Sequence, residues 1–204
     1  MSVSSLKFSD REVDGIVDVY RKSFGGEPWN EGYKCLVCDS VYPLQPIAVN
    51  CPTCLQSSVA STLVEYWPES QVRSDFYAEM AKAGAVYVVK YDSVNSDSRQ
   101  VVGFAWGYDI QVDQDAEAKL QAPGLSDIIT GTFFYLDECA VTPDYQGQGL
   151  GKELVNQIFA KQPRSNVMLR TLDNSRMCNL IRNLGGEVVL KISRDRVIMK
   201  LNLR

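Results

Sequence analysis

A chain of 204 residues, 45% apolar and 23% charged, can bury one sizeable core and carry a small appendage, and no apolar run approaches the ~18 residues of a membrane span. Its net charge of −4 argues against a domain built mainly to grip nucleic-acid phosphates. The absence of histidine excludes Ser-His-Asp and Cys-His nucleophilic systems and His-x-x-x-His zinc hydrolase sites together, leaving acid-base chemistry to carboxylates, Tyr, Cys, Lys or water.

Residues 1–30 lack the basic start and apolar run of a secretory signal, because Ser9, Asp10, Glu12 and Asp14 interrupt early. A cytoplasmic location is therefore expected. Residues 2–8 alternate weakly and predict a first strand. Ser9 and Asp10 can cap a helix in which Val13, Ile16, Val17, Tyr20 and Phe24 recur at three- and four-residue spacing, stopped by Gly25-Gly26.

Two Cys-x-x-Cys pairs follow, Cys35 with Cys38 and Cys51 with Cys54, inside a segment at 31–58 that offers few core-forming side chains. Two such knuckles at this separation suit one tetrahedral Zn²⁺ held by four thiolates. Disulfides or free thiols are the other readings; a cytosolic chain disfavours the first, and the paired spacing disfavours the second. Four protein ligands leave no open coordination position, so the expected Zn²⁺ is structural. The segment's aromatic flanks, Trp29, Tyr33, Tyr66 and Trp67, suit either a wall of a binding cleft or the module's own small core.

A helix is expected from about Pro68 to Ala83, with Val72, Phe76, Met80 and Ala83 on one face. Next come a hairpin of strands at 85–91 and 100–108 turning at 95–98, then a polar, acidic loop at 111–130 with one or two short helical turns. A strand at 132–141 feeds a glycine-rich turn. Beyond it lie a helix carrying Leu150, Leu154, Val155, Ile158 and Phe159, a strand at 166–172, a helix at about 175–184, and strands at 187–192 and 196–203. This order predicts a mixed sheet with helices on its faces.

The turn itself, Gln146-Gly147-Gln148-Gly149-Leu150-Gly151-Lys152, places three glycines where a strand becomes a helix. Each would cost roughly 0.5–1 kcal/mol relative to alanine inside a regular element, so their clustering suggests a special backbone path that turns peptide N–H groups toward an anion such as a pyrophosphate. Neither the Walker loop nor the dinucleotide fingerprint fits: Gly151-Lys152 is followed by Glu153 instead of a hydroxyl residue, and the spacing is Gly-x-Gly-x-Gly. The pattern Gln-x-x-Gly-x-Gly after Val141-Thr142-Pro143 resembles the pyrophosphate loop of the GNAT superfamily of acetyl-CoA-dependent N-acetyltransferases. The element order resembles that fold too, over about residues 1–30 and 60–204.

The resemblance implies an α/β fold with a mixed, mostly antiparallel central sheet flanked by helices, here one acyltransferase domain over 1–204 with a zinc-ribbon-like insertion at 31–58. It implies that acetyl-CoA sits on Gln146, Gly147, Gln148, Gly149, Leu150, Gly151 and Lys152, with its arm along Cys139, Ala140 and Val141. Asn174 falls where such proteins have a cofactor-contacting asparagine. Ile181 departs from the pattern, standing where many members have a tyrosine that protonates the leaving thiolate; a thiol of pKa ~8.5 can leave without a strong acid.

The thioester would then lie beside Asp137 and Glu138. An amine acceptor, a small molecule or a peptide, must lose a proton before it attacks, so one of these carboxylates or an ordered water is the expected base, and an N–H near Ala140 or Val141 the expected oxyanion donor. A regular strand would aim Asp137 and Glu138 at opposite faces. The other reading of the sequence is a non-catalytic acyl-CoA-binding interaction protein whose zinc segment grips a protein or nucleic acid.

Overall fold

The computed structural model describes residues 8–44, 51–54, 63–92 and 99–203. Helix α1 spans Asp10–Phe24 and starts at Ser9, whose hydroxyl accepts the Glu12 N–H. That bond satisfies one of the donors a helix start leaves unpaired. Val13, Ile16, Val17, Tyr20 and Phe24 form its buried face. The expected strand at 2–8 lies outside the described residues except for Phe8, whose ring packs on Phe76 and Tyr87.

Three short strands follow, β1 (Tyr33–Cys35), β2 (Val41–Tyr42) and β3 (Leu63–Glu65), in the antiparallel order β2-β1-β3. The sequence gives no periodicity for strands of two or three residues. Helix α2 covers Glu69–Met80 and buries Val72, Phe76 and Met80. It stops short of Ala83, which is exposed and whose carbonyl instead accepts the Asp109 N–H at 2.8 Å.

The central sheet contains β4 (Val86–Tyr91), β5 (Val101–Val112), β6 (Gly131–Val141), β7 (Asn166–Leu172), β8 (Glu187–Lys191) and β9 (Arg196–Asn202). Its order is β4-β5-β6-β7-β9-β8, and only β6 with β7 is parallel. The turn expected at 95–98 lies outside the described residues. Strand β5 runs four residues past its expected end at Tyr108, into the stretch read as a loop. The rest of that stretch forms α3 (Gln114–Leu120) and α4 (Leu125–Ile128), whose Ala116, Leu120 and Leu125 are buried with Tyr108 and Ile110 of β5. Sparse apolar residues amid acidic ones thus still close one end of the core.

Helices α5 (Leu150–Lys161) and α6 (Arg176–Asn183) cover one face of the sheet, packing on Ala105, Phe134 and Leu169. The opposite face carries α1 and α2 over Phe104 and Trp106, and α3 and α4 over Tyr108 and Tyr135. Burying side chains of this size contributes roughly 1.5–3 kcal/mol each, so the sheet is held between helix layers on both faces.

Two irregularities position the site. Strands β6 and β7 pair only through Phe134↔Val167 and Tyr135↔Met168, so β6 runs on to Val141 and β7 to Leu172 with a gap between them. On its other side β6 pairs Leu136 with Gly107 and Glu138 with Trp106, leaving Asp137 as an extra residue. Such a bulge resets the alternation of side chains.

Candidate active site

The gap between β6 and β7 opens into two adjoining clefts that share Phe24, Trp29, Cys139 and Met177. The larger, about 580 Å³, leads to the glycine turn and is lined by Cys139, Ala140, Val141, Gln146, Gly147, Gly149, Leu150, Gly151, Lys152 and Asn174. Of the residues expected to contact a cofactor, Gln148 alone is outside this lining; its side-chain amide donates to the Asp144 carbonyl at 3.3 Å. The smaller cleft, about 340 Å³, lies on the α1 face between Tyr20, Trp29, Glu31, Trp67, Asp137, Glu138 and Arg170.

The glycines of the turn are there for different reasons. Gly147 (φ +79°) and Gly149 (φ +85°) adopt left-handed conformations that strain any other residue. Gly151 does not, since it lies in the first turn of α5, and a Cβ built on it meets nothing within 4 Å. Neither conformation nor protein packing requires a glycine there, so what a side chain would fill is open cleft. Among the described residues no acceptor faces the N–H groups of 147–152, and α5 has no side-chain cap. Half a dozen unpaired donors at the positive end of a helix dipole form an anion cradle. Gln146 folds back to donate to the Val141 carbonyl at 3.0 Å and accepts from Arg176 at 3.1 Å, which fixes the loop's entry.

Strand β6 presents a free edge to the same gap. The Thr142 N–H donates to Val102 on β5 at 3.0 Å; by alternation Ala140 turns its N–H the same way, and Cys139 and Val141 turn theirs to the gap. Of the two amides expected to stabilise an oxyanion, that of Val141 is the one turned to the gap. Its carbonyl, on the same side, accepts from Ser23 and Gln146.

The bulge corrects the expectation that Asp137 and Glu138 point to opposite faces. Before it, Phe133 and Tyr135 face α3 and α4; after it, Ala140 faces α1. Asp137 and Glu138 flank the reset and both reach the α1 face, where both line the smaller cleft. Tyr20 donates to Glu138 Oε1 at 3.2 Å, and the Trp106 indole donates to Asp137 Oδ2 at 3.4 Å. Burial raises the Asp137 carboxyl to about 6, helped by the nearby Glu79 charge and opposed by Lys119. Burial, and then the Asp137 charge, pushes Glu138 well above the usual carboxylate range. The two titrate as a pair.

Sequence reasoning missed four charged residues of this cleft, Glu31, Lys119, Arg170 and Arg196. Glu31 accepts from the Trp67 indole at 3.1 Å and from Arg196 at 3.4 Å, and burial raises its carboxyl. Arg170 interrupts an otherwise buried strand, which was a readable signal; the Glu31–Arg196 pair, 165 residues apart, had none.

Above the cleft, the sulfurs of Cys35, Cys38, Cys51 and Cys54 lie within 4.8 Å of one another. Cys35 is 3.6 Å from Cys54 and Cys38 is 3.6 Å from Cys51, too far for disulfides. Tetrahedral Zn–S bonds of ~2.3 Å put sulfurs ~3.8 Å apart, so this donor set fits a zinc-binding insertion. Tyr42 contacts the Cys51 sulfur at 3.1 Å and the Val37 N–H points at Cys35, the outer bonds that orient thiolate ligands.

The profile of the acetyltransferase (GNAT) family matches residues 53–185. No curated protein matches the chain. Among solved structures, the histone acetyltransferase HPA2 and related acetyltransferase from Corynebacterium glutamicum is similar, at 17% identity and a TM-score of 0.55 over 98% of this chain and 95% of that one. The protein yncA of Salmonella typhimurium, solved with its cofactor acetyl-CoA, aligns at 15% identity and a TM-score of 0.51 over 97% of this chain and 92% of its own. The ribosomal-protein-S18-alanine N-acetyltransferase of Escherichia coli aligns at 14% identity and a TM-score of 0.50, with the same coverages of 97% and 92%. At these identities the likeness is one of fold.

Proposed function

The chain belongs to the acetyltransferase (GNAT) family, and from that premise we propose that it moves the acetyl group of acetyl-CoA directly onto an amine, with a carboxylate of β6 accepting the amine's proton. The observation that carries the cofactor assignment is Gly151, a helical glycine facing open cleft beside a row of unpaired N–H groups. Residues 146–152 would hold the pyrophosphate, and the free edge of β6 at Cys139 and Val141 would pair with the pantetheine amides as an added strand does. Bound there, acetyl-CoA supplies an activated acyl carbon and a thiolate leaving group.

The residues' own part is proton handling and charge placement. Glu138, its basicity raised by burial and by Asp137, takes the ammonium proton and passes it to solvent. The freed amine would form the N–C bond as the C–S bond breaks, the nitrogen's surplus proton passing through water to the departing thiolate. The Val141 N–H faces the developing oxyanion. Ile181 is fully buried and offers no acid, so the thiolate leaves as such and takes its proton from water.

Gly151→Val tests the cradle. Valine is no worse than glycine within a helix, so the melting temperature should hold, while acetyl-CoA affinity measured by calorimetry falls at least about tenfold through lost charge-assisted hydrogen bonds. A folded variant with unchanged affinity would remove the site. Gly149→Val is the poorer probe, because its φ of +85° would add strain of about 1–3 kcal/mol.

One observation supports the interaction-protein reading: Leu36 and Val37, at the tip of the first cysteine knuckle, are 67% and 54% exposed. Release of free thiol from acetyl-CoA in the presence of amines decides between the two. In this proposal the insertion holds one structural Zn²⁺ and walls the acceptor side of the cleft. With Lys34 its single cation against Glu31 and Asp39 over 31–58, it is a poor reader of nucleic acid.

A further inference from the structure

We propose that the acceptor is a free amino acid, its ammonium group toward Glu138 and its carboxylate on Arg170. The inference rests on the acetyl-transfer reading above and adds to it the class of acceptor.

The argument starts from how this chain treats its arginines. Among the described residues, the half-buried arginines Arg21, Arg73, Arg164 and Arg196 each pair with a carboxylate. Arg170 is half-buried as well, but among the described residues no carboxylate lies within 4.0 Å of it. Its Nη1 donates to the Leu120 carbonyl at 2.9 Å, which anchors the guanidinium at the end of α3. Glu31 and Glu138 are near enough to feel its charge but neither contacts it, so the guanidinium keeps a place for an anion of its own.

Its position says what that anion belongs to. Arg170 lies two residues beyond Met168, whose side chain joins the α3 and α4 cluster, so by the two-residue period of a strand it shares that sheet face with Asp137 and Glu138 and lines the same cleft. It faces them across the gap where β6 and β7 part. One wall therefore carries a proton acceptor with an excess of negative charge, and the other an unpaired planar fork suited to a carboxylate. A molecule bearing an ammonium and a carboxylate satisfies both. The volume of about 340 Å³ is at the small end of ligand pockets. The α-amine of a peptide is followed by a neutral amide and brings no carboxylate to this place.

The test measures thiol release from acetyl-CoA with the twenty free amino acids, their amides and their decarboxylated amines, for the wild type and for Arg170→Gln. Calorimetric titration of the best amino acid into protein saturated with CoA gives a readout independent of turnover. We expect at least one amino acid to exceed its amide and its amine by about tenfold or more in kcat/KM, since a site with a buried polar group discriminates strongly against a ligand lacking the partner. Arg170→Gln should erase that preference by raising KM for the amino acid and weakening its titrated affinity, with KM for the amine nearly unchanged. Amides, amines or peptides used as well as or better than amino acids would overturn the proposal, as would a preference surviving in Arg170→Gln. Acetyl-CoA bound with no amino acid acetylated also overturns it. Failure to bind acetyl-CoA at all sinks the underlying acetyl-transfer reading instead.

Discussion

If Glu138 is the base proposed above, replacing it with Gln should lower kcat by about 10²–10⁴, the usual worth of a positioned general base, while leaving acetyl-CoA affinity close to that of the wild type. The same carboxylate must be ionised to work, so the wild-type rate rises with pH through the ionisation of the pair, which begins near the Asp137 value of about 6. Other ionisable groups face the pair from every side: the neutral Tyr20 hydroxyl from α1, Glu31 from the insertion, Glu79 from α2, Lys82 just beyond it, Lys119 from α3 and Arg170 from β7. None of them changes identity in Asp137→Asn, which removes one negative charge beside Glu138. That variant should therefore shift the rising limb to lower pH and retain more activity than Glu138→Gln. Unchanged pH–rate profiles in both variants would assign the proton to water or to another residue.

The pair also bears on stability, with a sign that can be worked out. Both carboxyls are raised in the folded state, so folding takes up protons between about pH 4 and the folded values, and stability falls as pH rises through that window. Glu138→Gln should consequently be more stable than the wild type at pH 8 and melt at a higher temperature. Loss of activity together with a gain in melting temperature is not what damage to the fold would produce.

Removal of the metal is the other large effect expected. Structural Zn²⁺ in small modules brings apparent binding energies of ~10–16 kcal/mol, and two- and three-residue strands have little else to hold them. One zinc per chain should be found by elemental analysis, and either a strong chelator or Cys51→Ser should unfold β1, β2 and β3. The consequence for the acceptor side follows from how the insertion is fastened. Glu31 N–H donates to the Phe24 carbonyl at 2.8 Å, Leu44 N–H to Gly25 at 2.6 Å and Tyr66 N–H to Gly32 at 3.0 Å. A Cβ on Gly32 would come within 2.2 Å of the Leu44 nitrogen, so this seam closes only around a glycine. Losing it releases Glu31, Tyr66 and Trp67 from the cleft, and acceptor KM should rise about tenfold or more, by loss of several contacts at once. Acetyl-CoA affinity of the folded fraction should change little. Zinc-dependent, sub-micromolar binding of DNA or RNA with acceptor kinetics indifferent to the metal would refute the assignment.

Much of the framework is legible in the residues because it is periodic or punctuated. Helix α1 declares itself by Ser9, by the spacing from Val13 to Phe24 and by Gly25-Gly26; strand β6 and the glycine turn do so by an apolar run meeting three glycines. The cysteine quartet is legible from spacing alone. The chemistry between these parts is not, because it depends on pairing. Alternation along β6 gives opposite faces to Asp137 and Glu138, and only its register against Trp106 and Gly107 on β5 shows the extra residue that brings them together. Likewise Glu31 acquires its role from Trp67 and Arg196, which the fold delivers from distant parts of the chain.

The parting of β6 from β7 has a mechanical side as well. Among the described residues two residue pairs join the ribbon β4-β5-β6 to the ribbon β7-β9-β8, and α5 leans on the first of these through Ala105, Phe134 and Leu136. Side chains bridge the two ribbons, Phe134 with Val167 and Leu169 on one face and Tyr135 with Met168 and Ile198 on the other, but with only two rungs the backbone joint should open more readily than the β5–β6 ladder beside it. Amide hydrogen exchange would register it as early loss of protection at Phe134, Tyr135, Val167 and Met168, while amides paired between β5 and β6 stay slow. Whatever lies along the open edge of β6 adds rungs to the joint, so occupancy of the cleft stiffens the whole sheet and not merely the loop that grips the ligand.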